Sequence, residues 1–243
     1  MRPTQTHAVV FDFDGTLLPK TLASAMRIIE LKLYSPASLT RVDRHVARHK
    51  DSIVNGTITP HDSEQGWRFT HDLYAREGVT LGRVRKALRD ARLRDGAADC
   101  LRLLRRRGIP TAIISCGVAA LIPPILEANG VADCVTAIYA TRIGFDRRSG
   151  ALLPYEPHRH VSAKDKGNLS REFAARHGVA PANLLAVGDS RGDRKLGHLK
   201  KNRLGLAADA DEAALLAPFM GCVLVTKSFR PVTDWLLKKL KSA

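Results

Sequence analysis

A short polar lead gives way to Ala8, Val9, Val10 and Phe11, an unbroken apolar run closed at once by Asp12 and a turn containing Gly15. Consecutive apolar positions of this kind, bounded by a turn signal, predict a buried strand over residues 7–12. From about residue 20 to 94 the spacing lengthens. Leu22, Met26, Ile29 and Leu33 recur at helical intervals, Trp67, Phe69, Leu73 and Tyr74 form a second such group, and no strong strand intervenes. Beyond this region the two periods alternate. A helix over 99–107 stopped by Gly108, a strand over 110–115, and a helix around 125–128 ended by Asn129 and Gly130 come first. A hairpin is predicted between residues 137 and 153, turning near 147–150, then a helix over 167–177 and strands at 184–187, 204–207 and 222–226. Residues 231–240 close the chain as a helix with Pro231 at its start and lysines in its last turn. Such alternation means an α/β fold, a parallel sheet covered by helices on both faces.

The chain has 243 residues, 44% of them apolar, enough for one sizeable core or a core with a small second unit. Cys100, Cys116, Cys134 and Cys222 are scattered, with neither a C-x-x-C pair nor accompanying His spacing, so zinc and a disulfide framework are not indicated and a reducing cytoplasm is expected. The apolar run at the N-terminus is too short for a signal peptide. Residues 109–126 lack charge but contain Pro110, Gly117, Pro123 and Pro124, which read as strand, turn and helix and not as a membrane span. The net charge of +15 does not by itself choose among nucleic acid, an acidic surface and anionic substrates. Its densest cluster, Arg102 with Arg105, Arg106 and Arg107, falls near a helix C-terminus and reads as a solvated face.

The candidate chemistry gathers at predicted strand ends. Asp12 and Asp14 flank Phe13, and i, i+2 spacing lets both carboxylates point to one side of the chain. Asp and Gly also favour turns, so the pair alone leaves a turn and a nucleophile with its acid/base partner both open. A second acidic pair, Asp189 and Asp193, follows another apolar strand and offers oxygen ligands suited to Mg²⁺. Ser115 ends a third strand, where its hydroxyl and the following backbone N–H groups could hold a phosphoryl oxygen at a helix start. Lys166 precedes the Asp189 strand on its helix and could neutralise phosphate, with Lys164 as a competitor.

Taken in order, DFDGT (12–16 with Asp12 as its first residue), IISCG, DKGN and GDSRGD resemble the four motifs of the haloacid dehalogenase superfamily, phosphatase type, in its phosphoserine-phosphatase-like branch. The resemblance implies a Rossmann-like three-layer core over residues 1–19 and 95–243, with a helical cap over 20–94. It makes Asp12 the nucleophile that forms an aspartyl phosphate and Asp14 the acid/base. Ser115 and Cys116 would bind phosphate together with Lys166. Asp12, the Asp14 carbonyl and Asp189 would hold Mg²⁺, and Asp193 would support metal or lysine. The implied activity is hydrolysis of a small phosphorylated metabolite. A 5′-nucleotidase-type activity, a phosphomutase and a basic nucleic-acid-binding protein stand as alternatives. In phosphoserine phosphatases a glutamate nine residues after the nucleophile binds the substrate ammonium. That position here is Thr21, preceded by Lys20, so phosphoserine is expected to be a poor substrate. Within 20–94, His61, Trp67, Arg68 and His71 are candidate specificity residues, but their spacing reads as packing and surface.

Overall fold

The computed structural model describes residues 7–20, 24–55 and 58–241. Its centre is a parallel sheet in the order β3-β2-β1-β4-β5-β6, formed by β1 (Ala8–Phe11), β2 (Thr111–Val118), β3 (Ala137–Thr141), β4 (Leu184–Gly188), β5 (Arg203–Ala207) and β6 (Cys222–Val225). Strand β1 shows why the sequence there is apolar without alternation. Val9 and Phe11 enter the core on one side of the sheet and Ala8 and Val10 the core on the other, so both faces of the pleat are buried. On the first side β1 meets α5 (Ala97–Arg106) and α8 (Arg230–Lys241), through Leu101, Leu104, Val232 and Leu236; on the second, Phe173 and Ala174 of α7 (Lys166–Arg176) close the layer. The strand order reverses between β1 and β4, and in open sheets of this type the crevice at the carboxyl ends beside that switch is where ligands bind.

Between residues 24 and 94 the regular structure described is all helical, with four helices joined by turns: α1 (Ala25–Leu33), α2 (Pro36–Asn55), α3 (Pro60–Arg76) and α4 (Leu81–Leu88). Hydroxyls start three of these helices. Ser24 accepts from the Arg27 N–H, Thr59 from Asp62, and Thr80 from Arg83, each satisfying one of the N–H groups that a helix leaves without an internal partner. The helices do not form a separate core. Ile29, Leu73, Tyr74, Val84 and Leu88 join the same apolar cluster as Leu121 and Ile125, the latter on α6 (Ile122–Ala128).

Two expectations need correction. Residues 137–141 are not one arm of a hairpin: they form β3, parallel to β2. Only residues 144–153 turn back on themselves, around an Asp146 carboxylate that accepts from the Arg148 and Ser149 N–H groups, with one antiparallel bridge between Phe145 and Leu152. A nearby turn signal suggested a local partner, whereas the true partner residues, Ala112 to Ile114 and Val118, lie some 25 residues upstream, out of reach of local patterning. Second, no helix starts directly after Ser115. Strand β2 continues irregularly to Val118, and α6 begins only at Ile122.

The two crossings into and out of the helical insertion lie side by side. The Arg94 N–H donates to the Leu17 carbonyl at 2.8 Å, and its buried guanidinium donates to the carbonyls of Gly15 (2.5 Å), Thr16 (3.0 Å) and Thr226 (3.2 Å). One side chain therefore ties the loop after β1 to the end of β6. Arg94→Met keeps the apolar stem but leaves these carbonyls without their donor, and is expected to lower stability by about 3 kcal/mol. Urea denaturation checks this through a lower midpoint at unchanged slope. A loss under about 1 kcal/mol would mean that the carbonyls find other donors.

Candidate active site

The loop after β1 is shaped around the loop after β4. Gly15 has φ +85°, and a Cβ there would overlap the Asp189 carboxylate, so both the backbone conformation and the space exclude a side chain. Thr16 secures the same contact from the other direction, donating its hydroxyl to Asp189 Oδ1 at 3.0 Å. Across the strand ends, a Cβ on Gly117 would lie 2.9 Å from Asp14 Oδ2 and 3.3 Å from Ser115 Oγ. Asp14 and Ser115 therefore face one another over Gly117, whose N–H donates to the Ser115 hydroxyl at 3.0 Å.

Lys166 occupies the centre. Its buried ammonium donates to Asp12 Oδ1 at 2.8 Å and to Asp193 Oδ1 at 2.6 Å. Asp193 is held by its own turn. It belongs to a reciprocal cap with Ser190, and its Oδ2 accepts from the Asp189 and Ser190 N–H groups and from the Ser190 hydroxyl. With one oxygen committed to the loop and the other to lysine, Asp193 orients Lys166. The competitor Lys164 lies two residues earlier, exposed on the rim of a cavity.

Asp12, Asp189 and Asp193 are all buried, each with a carboxylate oxygen within 4.8 Å of the others'. Burial, then the nearby Asp193 charge, pushes Asp12 well above the ordinary carboxylate range against the pull of Lys166. The same two causes push Asp189 up to about 6. Burial opposes the charge on Lys166 as well, but Asp12 and Asp193 outweigh it and keep the ammonium protonated. Crowded carboxylates that resist ionisation are a donor set that fits a small hard dication, which relieves their repulsion and prefers oxygen ligands. Asp12 and Asp189 suit that role by chemistry.

The other anticipated groups fall nearby. Asp14 accepts the Ala25 N–H at 2.7 Å, and burial raises its proton affinity against that hydrogen bond. Burial pushes the Cys116 thiol up to about 11, so it stays a neutral thiol and no thiolate nucleophile forms there. Lys20 leans over the acidic side of the site, pairing with Asp189 Oδ2 at 3.2 Å and Glu212 Oε2 at 3.0 Å. Thr21 lies outside the described residues.

Sequence reasoning missed one feature. Arg94 carried no local signal, because its partners are backbone carbonyls on distant segments. Trp67, read as packing, does pack against the core, and it also lines a cavity to whose wall Cys116 and Asp165 belong. Of its neighbours, His71 bonds the Leu153 carbonyl at 2.9 Å and Arg68 lies over the Tyr155 ring, so both join α3 to the loop after β3.

Comparison with known proteins bears on the family and the fold. A family model for haloacid dehalogenase-like hydrolases matches residues 9–198. A phosphoserine phosphatase of Archaeoglobus fulgidus is 28% identical over 206 residues, covering 84% of this chain and 53% of that protein. The chain thus spans about half the length of the curated relatives it matches. Among solved structures, a phospho-aspartyl intermediate analogue of phosphoserine phosphatase aligns over 95% of this chain and 99% of that one, with a TM-score of 0.67 at 20% identity. A cytosolic 5′-nucleotidase IIIB bound to cytidine aligns over 97% and 86%, with a TM-score of 0.66 at 16% identity. At these identities the structural likeness concerns the fold.

The geometry separates the two lysines. Lys166→Met removes the only cation bonded to both Asp12 and Asp193 among the described residues, and a buried charge pair broken on one side costs about 3 kcal/mol or more. Lys164→Ala at its exposed position is expected to change stability by less than about 0.5 kcal/mol. Chemical denaturation of both variants in excess chelator measures the difference, and equal losses would contradict the assignment.

Proposed function

The chain belongs to the haloacid dehalogenase-like hydrolase family, and from that premise we propose that it is a Mg²⁺-dependent phosphomonoesterase in which Asp12 is the nucleophile. The observation that carries this reading is the buried Lys166 ammonium held between Asp12 and Asp193 at the carboxyl end of the central strand. Burying three carboxylates and a lysine adds little to stability compared with an apolar replacement, so such a cluster points to chemistry.

In the proposed cycle an Asp12 carboxylate oxygen attacks phosphorus and the bond from phosphorus to the leaving oxygen breaks. Asp14 gives that oxygen its proton; its raised proton affinity suits the task. Asp14 then takes a proton from water as the water oxygen attacks the aspartyl phosphate, which releases phosphate and restores the Asp12 carboxylate. Lys166 neutralises charge on the phosphoryl oxygens, while Ser115 and the backbone at Cys116 hold them in this reading. Mg²⁺, held by Asp12, Asp189 and the Asp14 carbonyl, would offset repulsion between the carboxylate nucleophile and the anionic phosphoryl group. Asp193 positions Lys166 and is not assigned to the metal. Residues 20–94 act as the cap that excludes water from the intermediate.

Acid-quench trapping of phosphoenzyme tests the assignment. With Mg²⁺ present, the wild-type protein should release phosphate from p-nitrophenyl phosphate and lose this activity in excess chelator. Asp12→Asn should form no trapped phosphoenzyme. Asp14→Asn should still form one from this good leaving group while turning over about a hundredfold more slowly or worse. Phosphoenzyme on the Asp12→Asn variant would refute the nucleophile, and transfer to an added sugar alcohol without release of free phosphate would favour a mutase.

A further inference from the structure

Directly over the phosphate end of the site, α1, α2, α3 and residues 160–165 enclose a cavity of about 1040 Å³. Cys116, next to Ser115, and Asp165, next to Lys166, belong to its lining and place it against the catalytic cluster. Such a volume lies at the upper end of the range for pockets that hold drug-sized ligands, and far exceeds an amino-acid side chain. It is also elongated. Lining residues run along α2 from Val42 to His49, a rise of roughly 10 Å.

The walls are largely apolar, with Met26, Tyr34, Val42, Trp67, Phe69 and Leu73 among them. Of the charged groups in the wall, Arg27 donates to Glu30 Oε2 at 3.1 Å and pairs with Asp43 Oδ1 at 2.9 Å, Asp62 and Asp165 accept from the Thr59 and Ser162 hydroxyls, and Lys164 is exposed at the rim nearest the catalytic cluster. His45 stacks on Phe69 with ring centroids 4.5 Å apart, adding a flat face. A small zwitterionic leaving group would leave most of this surface against water, whereas a long apolar one would cover it.

We propose that the leaving group of the natural substrate is extended and largely apolar, about eight carbon atoms or more, the reach needed to fill the roughly 10 Å beside α2. The inference rests on the phosphomonoesterase reading and adds the substrate class to it. The phosphate sits on the carboxylate and lysine cluster, and the apolar body lies between α2 and α3.

The test compares kcat/KM for ethyl, butyl and octyl monophosphate, 2-naphthyl phosphate and phosphoserine in one Mg²⁺ buffer, below micelle-forming concentrations. Octyl or naphthyl phosphate should exceed ethyl phosphate at least tenfold, the effect of burying about two methylene groups. Whichever of the two ranks higher distinguishes a chain from a ring system. Val46, half exposed on the cavity wall, offers a variant with little risk to folding. Val46→Asp should reduce the octyl-to-ethyl ratio severalfold with an unchanged melting temperature. Phosphate release from every ester at rates independent of leaving-group size would overturn this inference and leave the phosphatase reading standing. Absence of release from all of them would count against that reading instead, and binding then decides the present one. In a Trp235→Phe background, Trp67 fluorescence should report octylphosphonate binding at least tenfold tighter than ethylphosphonate, and equal affinities would overturn the proposal.

Discussion

The Lys166 ammonium between Asp12 and Asp193 is the contact on which the arrangement of the site depends. Three loops meet there, after β1, before α7 and after β4, each bringing charge that is costly to bury alone. Lysine at the centre makes the cluster tolerable without neutralising it. Lys166 pairs with Asp12 and Asp193 and Lys20 with Asp189, yet burial with mutual repulsion still drives Asp12 and Asp189 up in proton affinity. The residual negative charge is what a divalent cation would meet.

Such a cluster needs walls that do not yield. Strand β1 supplies one, because it lies in the middle of the sheet with both faces buried, and a one-residue slip would exchange Val9 and Phe11 with Ala8 and Val10 between two cores packed for different volumes. Arg94 supplies another. By holding the carbonyls of Gly15 and Thr16 it fixes the loop in which Gly15 passes against Asp189. The same residue stands where the helical insertion rejoins the core, so the geometry of the acidic loops and the seating of the insertion share one clamp.

The insertion is seated at a second seam, between α3 and the loop after β3. Glu64 accepts from the Tyr155 hydroxyl at 2.7 Å and from the His158 N–H at 3.1 Å, and His71 bonds the Leu153 carbonyl. These polar contacts tie α3 to the core, while the cavity walls are largely apolar. A site with a charged floor and apolar walls separates two tasks: electrostatics for the phosphoryl group, and burial for whatever it is attached to.

The order and type of most elements were legible in the chain because they are set locally. Apolar runs closed by Gly or Asp gave the strands, and Gly108 and Gly130, both at positive φ, stopped helices where a residue with a side chain would be strained. Asp12 and Asp189 were legible for a related reason, since each directly follows a buried strand, and Lys166 opens a helix; Asp14 and Asp193 follow at fixed short spacing in the same loops, whereas Ser115, read as a strand end, lies within β2. What the chain could not display was anything decided between segments far apart. The parallel pairing of β3 with β2, the grip of Arg94 on three carbonyls and the turn of Trp67 toward a cavity depend on partners tens to more than a hundred residues away. Local pattern records which side of an element is apolar. Only the folded chain determines whether that side meets another wall of the core or a space left for a ligand, because the difference lies in the neighbour and not in the residue.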